Sequence, residues 1–357
     1  MSIGLGMPGI RPTIDLATRP ASPALIDRFG RVATDLRVSL TDRCNLRCTY
    51  CMPADGLPWT PTADLLSPDE IARLIGIAVR ELGVTSVRFT GGEPLLRADL
   101  VEIVARTAAL DPRPEIALTT NGIGLEQRAV ALRQAGLNRI NVSLDALDDE
   151  AFTRIARRPL LRRTLAGIDA AAAAGIAPVK INAVLVSDVE VDPVELLQWA
   201  LARGHELRFI EQMPLDADRS WRRADLVTAG DVRRRLSERY TLVPDSAPRE
   251  GAPAQRWHVH PLGRADTAPL GAVGIIASVT EPFCGDCRRT RLTAQGTVRA
   301  CLFSHDEVPL ATALRTGADD DQLADLWRAA MWAKPAGHGI DRPGFAPPQR
   351  SMSEIGG

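Results

Sequence analysis

Short apolar runs alternate with longer amphipathic stretches along most of the chain from Asp35 onward. The runs are rich in β-branched residues, whereas the stretches between them carry apolar residues at helical spacing. This alternation is typical of successive βα units, which build a parallel sheet. Six strands are predicted in this way, over residues 36–40, 86–90, 115–120, 139–144, 178–186 and 207–210. Six units in about 180 residues favour an α/β fold with a partial (β/α)6 TIM-like barrel over a closed barrel of eight units.

The first predicted helix carries a signal at each end. Ser67 is placed to cap it, Pro68 takes the first helical position, and Glu70 stands three residues after the cap, as in a capping box. Gly83 follows Leu82 and is expected to end the helix. Further helices are predicted over residues 97–110, around 170 and over 193–202. Polar residues and glycines follow the successive strands, at the edge where parallel sheets build their sites.

The pattern divides the chain into three parts. Residues 1–30 are rich in Gly and Pro and are predicted to be a loosely ordered lead-in. Residues 31–222 are assigned to the partial barrel, and residues 223–357 to a smaller C-terminal region. That last part is predicted to hold a short basic helix, two strand-like pieces and a further helix, over residues 231–240, 257–260, 273–278 and 322–334.

Composition excludes several classes of protein. The 357 residues are 45% hydrophobic and 24% charged, as in ordinary globular proteins. A formal net charge of −1 gives no general reason to expect nucleic acid or an anionic membrane as a partner. The N-terminal residues lack the apolar core of a signal peptide, and no apolar run is long enough to span a bilayer. A cytoplasmic location is therefore expected.

All six cysteines fall into two triplets, which are Cys44, Cys48 and Cys51, and then Cys284, Cys287 and Cys301. In a reducing compartment such groups indicate metal or cluster ligands rather than disulfides. A structural zinc site uses four protein ligands, and each triplet is one short. An iron–sulfur cube held by three thiolates leaves one iron open for a ligand from solution. The spacing leaves a non-enzymatic zinc-binding module open as an alternative.

The first triplet, with Tyr50 before its last cysteine, resembles the radical S-adenosylmethionine (SAM) superfamily. Together with other motifs, it makes the chain from Arg31 onward similar to the GTP 3′,8-cyclase family. Those motifs are the segment 35–44, Tyr50–Pro53, Arg88–Pro94, Thr119–Gly122, Val142–Asp145, Lys180–Asn182, the second triplet and the terminal Gly356-Gly357. Each motif alone is weak evidence, but their ordered series is specific.

The resemblance implies a lyase that opens molybdenum cofactor biosynthesis. Two [4Fe–4S] clusters are implied, one on each triplet, with SAM on the first and the guanine of GTP on the second. A 5′-deoxyadenosyl radical takes hydrogen from C3′ of GTP, and C3′ then attacks C8 to give 3′,8-cyclo-7,8-dihydro-GTP. An electron donor is required, and cyclic pyranopterin monophosphate synthase would accept the product. A monomer and a homodimer both remain possible.

The resemblance also assigns residues to the two small molecules. SAM contacts are implied for Tyr50, Gly92, Ser143 and Met213. GTP contacts are implied for Arg37, Arg88, Thr119, Lys180, Arg289, Thr290 and Arg291, and in the family the terminal glycine tail reaches the active site. No Walker A motif is present, so side-chain cations are expected to hold the triphosphate. A charge within an apolar strand implies either an internal carboxylate or an anionic ligand as its partner.

A second enzymatic interpretation is a radical SAM enzyme that carries an auxiliary cluster and matures peptides or sulfatases. Such enzymes usually have more cysteines in the C-terminal region than the three found here. They also lack the series of cations on the predicted strands. Both observations favour the cyclase family over this alternative.

Overall fold

A computed structural model describes residues 18–356; the first part of the predicted lead-in and Gly357 lie outside the described residues. A twelve-stranded sheet forms the centre of the molecule. Its strands are β1 (Asp35–Ser39), β2 (Ser86–Thr90), β3 (Glu115–Thr120), β4 (Arg139–Ser143), β5 (Val179–Val184), β6 (Glu206–Ile210), β7 (Tyr240–Pro244), β8 (Gln255–Pro261), β9 (Gly271–Ile276), β10 (Arg289–Leu292), β11 (Thr297–Arg299) and β12 (Val308–Pro309).

The sheet runs in the order β12-β11-β10-β1-β2-β3-β4-β5-β6-β9-β8-β7. Strands β1 to β6 are parallel neighbours, and β10 and β9 extend them in parallel beside β1 and β6. The remaining strands add antiparallel pairs at the two ends. The sheet does not close on itself, which confirms the predicted α/β partial barrel. Strands from the second half of the chain continue both edges of the same sheet.

Ten helices accompany the sheet within residues 18–356, and most follow a strand. Their bounds are α1 (Pro68–Arg80), α2 (Leu100–Ala108), α3 (Leu125–Ala135), α4 (Asp149–Ala156), α5 (Leu161–Ala173), α6 (Pro193–Ala202), α7 (Ala229–Ser237), α8 (Leu310–Arg315), α9 (Asp320–Trp332) and α10 (Met352–Ile355). None of them is long and apolar enough to cross a membrane.

Local sequence explains where these helices begin. The capping box predicted for α1 is present, since Ser67 accepts from the Glu70 backbone and Glu70 accepts from the Ser67 backbone. Helix α2 starts later than predicted because residues Pro94–Leu96 form a separate 3-10 turn and Arg97 is extended. The Arg97 guanidinium there pairs with Asp99 at 2.7 Å.

Alternation along the strands separates an apolar outer face from a polar inner face. In β1, Leu36 and Val38 are fully buried in the hydrophobic core, whereas Arg37 stands between them on the other face. The core lies between the outer face and the helices. The inner face is lined with charged and amide side chains, so it is a site rather than a packed core.

The described end of the predicted lead-in is packed. Leu25 is fully buried, and Asp27 accepts a 2.6 Å hydrogen bond from Arg31. The order comes from Arg31, whose guanidinium also donates to the carbonyl oxygens of Cys284, Pro335 and Ala336. The sequence pattern held no sign of these contacts because they join residues about 250 to 300 positions apart.

Candidate active site

A row of arginines crosses the inner face of the sheet. The parallel register places Arg37 of β1 opposite Arg88 of β2 on one side and Arg291 of β10 on the other. Arg289 lies two residues before Arg291 on the same face, opposite Asp35. Arg88, Arg289 and Arg291 are buried, and Arg37 is half-buried. Four cations from three segments of the chain thus form one group, the arginine row.

Little negative charge compensates the arginine row. None of its members makes an ion pair within residues 18–356, and the Nε atoms of Arg37 and Arg88 have no hydrogen-bond partner there. Burial, followed by repulsion from Arg37, lowers the pKa of Arg88 to about 9. Burial lowers the pKa of Arg37 to about 10, although Asp35 partly offsets it. Buried cations with unused donors fit an anion that brings several oxygens.

A second group of cations surrounds Glu206 of β6. The carboxylate lies 3.5 Å from the Lys180 ammonium, 3.0 Å from the Arg208 guanidinium and 3.8 Å from that of Arg256. Burial and the charge of Arg208 lower the pKa of Lys180 to about 8 despite this carboxylate. Lys180 therefore has the internal partner that the arginine row lacks. Sequence analysis missed Arg208, although its place between the apolar Leu207 and Phe209 marked it.

The two adjacent threonines of β3 face different ways. Thr119 is on the inner face, where its hydroxyl accepts from the Asn141 amide at 3.4 Å. Thr120 is buried and donates to Glu93 at 2.6 Å. Of the pair, Thr119 shares the face of the arginine row, as the assignment of a substrate contact to it requires.

The structure does not bring Thr290 together with the other residues assigned to GTP. Its side chain is fully buried on the outer face of β10, and its hydroxyl accepts the indole N–H of Trp327 at 2.9 Å. Alternation in the strand sends Arg289 and Arg291 inward and Thr290 toward α9. The hydroxyl of Thr290 binds Trp327 of that helix, so the Thr290 side chain is not available to a ligand in the interior.

The first cysteine triplet occupies the loop between β1 and α1. The Cys51 backbone N–H donates to the Cys48 carbonyl, and the Asn121 amide lies 3.9 Å from the Cys44 sulfur. The same amide donates to Asn45 at 2.6 Å, which ties the loop to the end of β3. The loop is thus held from the strand ends, where sites of parallel sheets lie.

Burial and neighbouring negative groups keep these three thiols protonated. Burial, then Glu93, raises the pKa of Cys44 to about 11. Burial and Cys44 raise that of Cys51 to about 12, and burial and Asp145 raise that of Cys48 well above its usual value. The thiols also raise one another's pKa, since Cys44 and Cys51 contribute at Cys48 and Cys44 contributes at Cys51.

The residues assigned to SAM lie at strand ends, and Tyr50 and Gly92 belong to or contact the cysteine loop. The Tyr50 hydroxyl donates to Asp145 at 2.7 Å, and Asp145 follows the strand that ends at Ser143. Ser143 and Met213 are half-buried, the latter in the turn after β6. At Gly92, a Cβ atom would collide with the backbone of the cysteine loop, at the Asp42 and Arg43 carbonyls. Glycine is therefore required there by packing, independently of any ligand.

Cations surround the second cysteine triplet. The Arg289 guanidinium donates to the Cys287 sulfur at 3.3 Å, and the buried Lys334 ammonium donates to the Cys287 and Arg289 carbonyls at 3.0 and 2.8 Å. Burial alone would raise the pKa of Cys287, but the charges of Arg289 and Lys334 outweigh it and lower the pKa to about 6. Arg31 donates to the Cys284 carbonyl at 2.6 Å.

Each triplet offers three thiols, the number that holds a [4Fe–4S] cube with one open iron. Within residues 18–356, no three His, Cys, Asp or Glu side chains converge as ligands of a single metal ion. Zinc would require such convergence on one atom. A [4Fe–4S] cube instead binds each thiolate to a different iron, so its cysteines stand further apart.

The last described residues enter the interior. The Arg291 guanidinium donates to the Gly356 carbonyl at 2.7 Å, and a Cβ atom at Gly356 would lie 2.9 Å from Thr90. Hydrogen bonds from Ser353 oppose the rise in the pKa of Cys51. This segment therefore contacts both the arginine row and the first triplet.

Comparison with known proteins gives two family matches and close relatives. Residues 38–200 match the radical SAM superfamily, and residues 205–340 match the family described as Molybdenum Cofactor Synthesis C. The chain is 57% identical to a GTP 3′,8-cyclase of Mycolicibacterium smegmatis, and the alignment covers 99% of each chain. It is 55% identical to that of Rhodococcus opacus, over 100% of this chain and 99% of the relative.

Solved structures support the fold. Streptococcus suis SuiB bound to S-adenosylmethionine superimposes with a TM-score of 0.55 at 14% identity, over 87% of this chain and 68% of SuiB. SuiB with its precursor peptide SuiA gives a TM-score of 0.54 at 16% identity, over 88% of this chain and 67% of that one. At this identity the likeness concerns the fold alone.

Proposed function

Because the chain belongs to the GTP 3′,8-cyclase family of radical SAM enzymes, we propose that it converts GTP into (8S)-3′,8-cyclo-7,8-dihydroguanosine 5′-triphosphate. This reaction would be the first step of molybdenum cofactor biosynthesis. The observation that carries the substrate assignment is the arginine row, a group of buried cations without ion pairs among the described residues. A triphosphate supplies the negative charge and the several hydrogen-bond acceptor oxygens that these guanidinium groups lack as partners.

The first triplet would hold the [4Fe–4S] cluster of the radical SAM reaction through Cys44, Cys48 and Cys51. When bound, the cluster and SAM together supply a radical that can abstract hydrogen from an unactivated carbon. The chain's own task is to place SAM at the strand ends, with Tyr50, Gly92, Ser143 and Met213 as the proposed contacts. The hydrogen bond from Tyr50 to Asp145 fixes the cysteine loop against the end of β4.

We extend the proposal to a second [4Fe–4S] cluster on Cys284, Cys287 and Cys301. The charges of Arg289 and Lys334 favour the thiolate at Cys287, which is the state that binds iron, whereas burial raises the pKa of Cys284. Since β10 begins two residues after Cys287, this site lies at the start of the strand that carries Arg289 and Arg291. A nucleotide on the arginine row would therefore have its base close to this site.

The two cation groups divide the work of positioning. The arginine row would bind phosphate oxygens, together with Thr119 on the same face. Lys180 and Arg208 are already held by Glu206, so they offer a preorganised second contact. The segment ending at Gly356 covers the interior and would help to exclude water. Fixing C3′ of the ribose against SAM is the main contribution expected from the protein.

The wider setting follows from the family. We propose a cytoplasmic enzyme, monomeric or homodimeric, that passes its product to cyclic pyranopterin monophosphate synthase. An external electron donor would reduce the first cluster. No partnership with nucleic acid or membrane is proposed.

The decisive experiment uses reconstituted enzyme, SAM, a reductant and GTP deuterated at C3′ under anaerobic conditions. Deuterium in the 5′-deoxyadenosine is expected, together with the cyclised nucleotide. If 5′-deoxyadenosine forms without deuterium, the radical SAM activity stands and the proposed abstraction site is wrong. If SAM is not cleaved at all, the assignment of the first triplet is wrong as well.

A binding experiment tests the arginine row separately. Arg88→Gln should weaken GTP binding by about 10- to 100-fold, because a buried charge-assisted contact to phosphate is lost. The control Arg106→Gln removes an exposed arginine that pairs with Asp69 and Glu102 on the outside of the molecule. It should leave binding unchanged. Equal binding by the Arg88 variant and the wild type would argue against a triphosphate on this row.

A further inference from the structure

A second concentration of positive charge lies outside the interior. Residues 151–168 contain five arginines and no Asp or Glu, although the whole chain has a net charge of −1. They are Arg154, Arg157, Arg158, Arg162 and Arg163. The segment joins the end of α4 to the start of α5. No step of the proposed reaction uses these residues.

This segment is tied to the first cysteine loop at its N-terminal side. The Arg47 backbone N–H donates to the Ala156 carbonyl at 3.0 Å, and the Thr49 N–H donates to the Ile155 carbonyl at 3.0 Å. Both donors lie between Cys44 and Cys51 in the chain. The end of α4 therefore forms one wall of the loop that would hold the first cluster.

A second connection ties the start of α5 to the same loop. A Cβ atom at Gly122 would lie 3.2 Å from the Thr164 carbonyl, so this turn of α5 is packed on the end of β3. Asn121 next to it donates to Asn45 in the cysteine loop. The backbone on both sides of residue 160 is thus connected to the first cysteine loop.

The charges on this side face solvent. Arg158, Arg162 and Arg163 are exposed and make no ion pair within residues 18–356. Arg47 belongs to the same surface; its guanidinium donates to the Cys44 carbonyl at 2.7 Å and lies over the Trp59 ring. Arg47, Arg158, Arg162 and Arg163 are called the basic surface below. Acidic residues adjoin the segment in the chain, since exposed Asp149 and Glu150 precede it and exposed Asp169 follows it, and Asp218 lies 3.6 Å from Arg157.

The positions of these arginines do not favour stability. Arg162 and Arg163 occupy the first turn of α5, whose N-terminus carries a partial positive charge and no side-chain cap. Cations at that end of a helix are unfavourable, and so is their proximity to Arg158. Charges placed against the needs of the fold indicate a surface selected for a partner.

We propose that the basic surface docks an acidic one-electron carrier protein that reduces the first cluster. The partner's charge follows from the basic surface, and its redox role follows from the adjacent cysteine loop. In the docked complex the reduced carrier loses one electron, and the oxidised cluster on Cys44, Cys48 and Cys51 gains it. No bond is made or broken, and no proton moves. The proposal rests on the proposed cluster at the first triplet and is independent of the identity of the nucleotide substrate.

The test uses the reconstituted enzyme and a plant-type [2Fe–2S] ferredoxin, an acidic carrier of low potential. Binding is measured by calorimetry at two salt concentrations, and cluster reduction is followed by stopped-flow absorbance. The charge-reversal variant R158E/R162E/R163E is compared with R234E/R235E/R239E. This control changes the net charge equally, on and beside α7.

Wild-type binding is expected to weaken at least about tenfold between 50 and 500 mM salt, because exposed charges are screened. The first variant should lose about tenfold or more in the rate of reduction by ferredoxin and keep its rate with dithionite. The control should keep both rates. Charge reversal could prevent folding, so the milder R158Q/R162Q/R163Q variant is measured as well. Its rate of reduction by ferredoxin should fall by a smaller factor than that of the charge-reversal variant.

Three results would overturn the proposal. One is that ferredoxin does not bind, or binds independently of salt. Another is equal loss of rate in both charge-reversal variants. The third is that a DNA oligomer binds the basic surface with the same salt dependence as ferredoxin and slows reduction by dithionite as much as reduction by ferredoxin.

Discussion

The two cysteine triplets are alike in number but lie in opposite electrostatic surroundings. The first faces carboxylates, since Glu93 raises the pKa of Cys44 and Asp145 raises that of Cys48, in each case after burial. In the second, cations beside Cys287 lower its pKa to about 6, although burial raises the pKa of Cys284. The same count of ligands in the sequence therefore gives two chemically different sites.

This difference matches the charges of the two proposed ligands. SAM carries a sulfonium cation, which is favoured beside the carboxylates of the first site. GTP carries a triphosphate, which would be favoured beside the arginine row. Charge complementarity of this kind would direct each molecule to its own end of the interior and disfavour the reverse arrangement.

Removal of one thiol from each site should separate their roles most clearly. Cys48→Ser is expected to abolish SAM cleavage, whereas Cys301→Ser should abolish the cyclised nucleotide and leave SAM cleavage measurable. Each variant should retain about four of about eight irons, because three thiolates hold each cluster. Chromatography of 5′-deoxyadenosine and nucleotide, with iron analysis, gives the answer. Loss of SAM cleavage in both variants would show that the sites are not independent.

Alkylation of the metal-free protein should distinguish the two sites directly. With a pKa of about 6, Cys287 is mostly thiolate at pH 7, whereas Cys51, with a pKa of about 12, is almost entirely thiol. Iodoacetamide should therefore modify Cys287 about 100-fold faster or more. Its rate should level off above about pH 7, while the rate at Cys51 should keep rising. Peptide mass spectrometry over pH 5–9 measures both, and equal rates would contradict the comparison.

Substitution of Lys334 should make the thiols of the two sites more alike in pKa. In Lys334→Met the cation beside Cys287 is lost, so the pKa of this thiol rises and its alkylation at pH 6 should slow by about three- to tenfold. Two buried carbonyls also lose their donor, which should lower the free energy of unfolding by about 1–3 kcal/mol. Cys51 in the same sample is the internal control, and its rate should not change.

The smallest effect is expected at Asp145. The pKa of Cys48 is raised mainly by burial and secondly by the charge of Asp145. Asp145→Asn should therefore speed the alkylation of Cys48 only about two- to threefold. The weaker bond from Tyr50 should lower the free energy of unfolding by about 1 kcal/mol, measured by urea denaturation. A tenfold or larger increase would show that Asp145, and not burial, controls the first triplet.

Strands β1 to β6 were predictable from the sequence because each is an apolar run followed by a helical stretch. Strand β10 was not, because alternate arginines interrupt it and its partner β1 lies about 250 residues earlier. Its alternation is what turns Thr290 away from the interior. Helix α3, with few buried apolar residues, and the short α4 were missed for a related reason: neither makes a long apolar stripe.

The candidate site shows the same limit. The cysteine triplets and most cations were recognised from motifs, but the arginine row exists only through strand register. Arg208 was missed because no motif contains it. Lys334 and Arg31 were missed because their roles are hydrogen bonds to carbonyl oxygens, which leave no pattern in the side chains.

The addition of β9 and β10 to the two edges of the sheet has a consequence for synthesis. Once the first 210 residues have left the ribosome, β1 and β6 each present an unpaired edge, because their outer neighbours have not yet been made. Such edges pair readily with other chains, so the nascent half is prone to aggregate until residue 292 emerges. A chain truncated just after residue 210 should accumulate as insoluble material, and chaperone protection should matter most during translation of the second half.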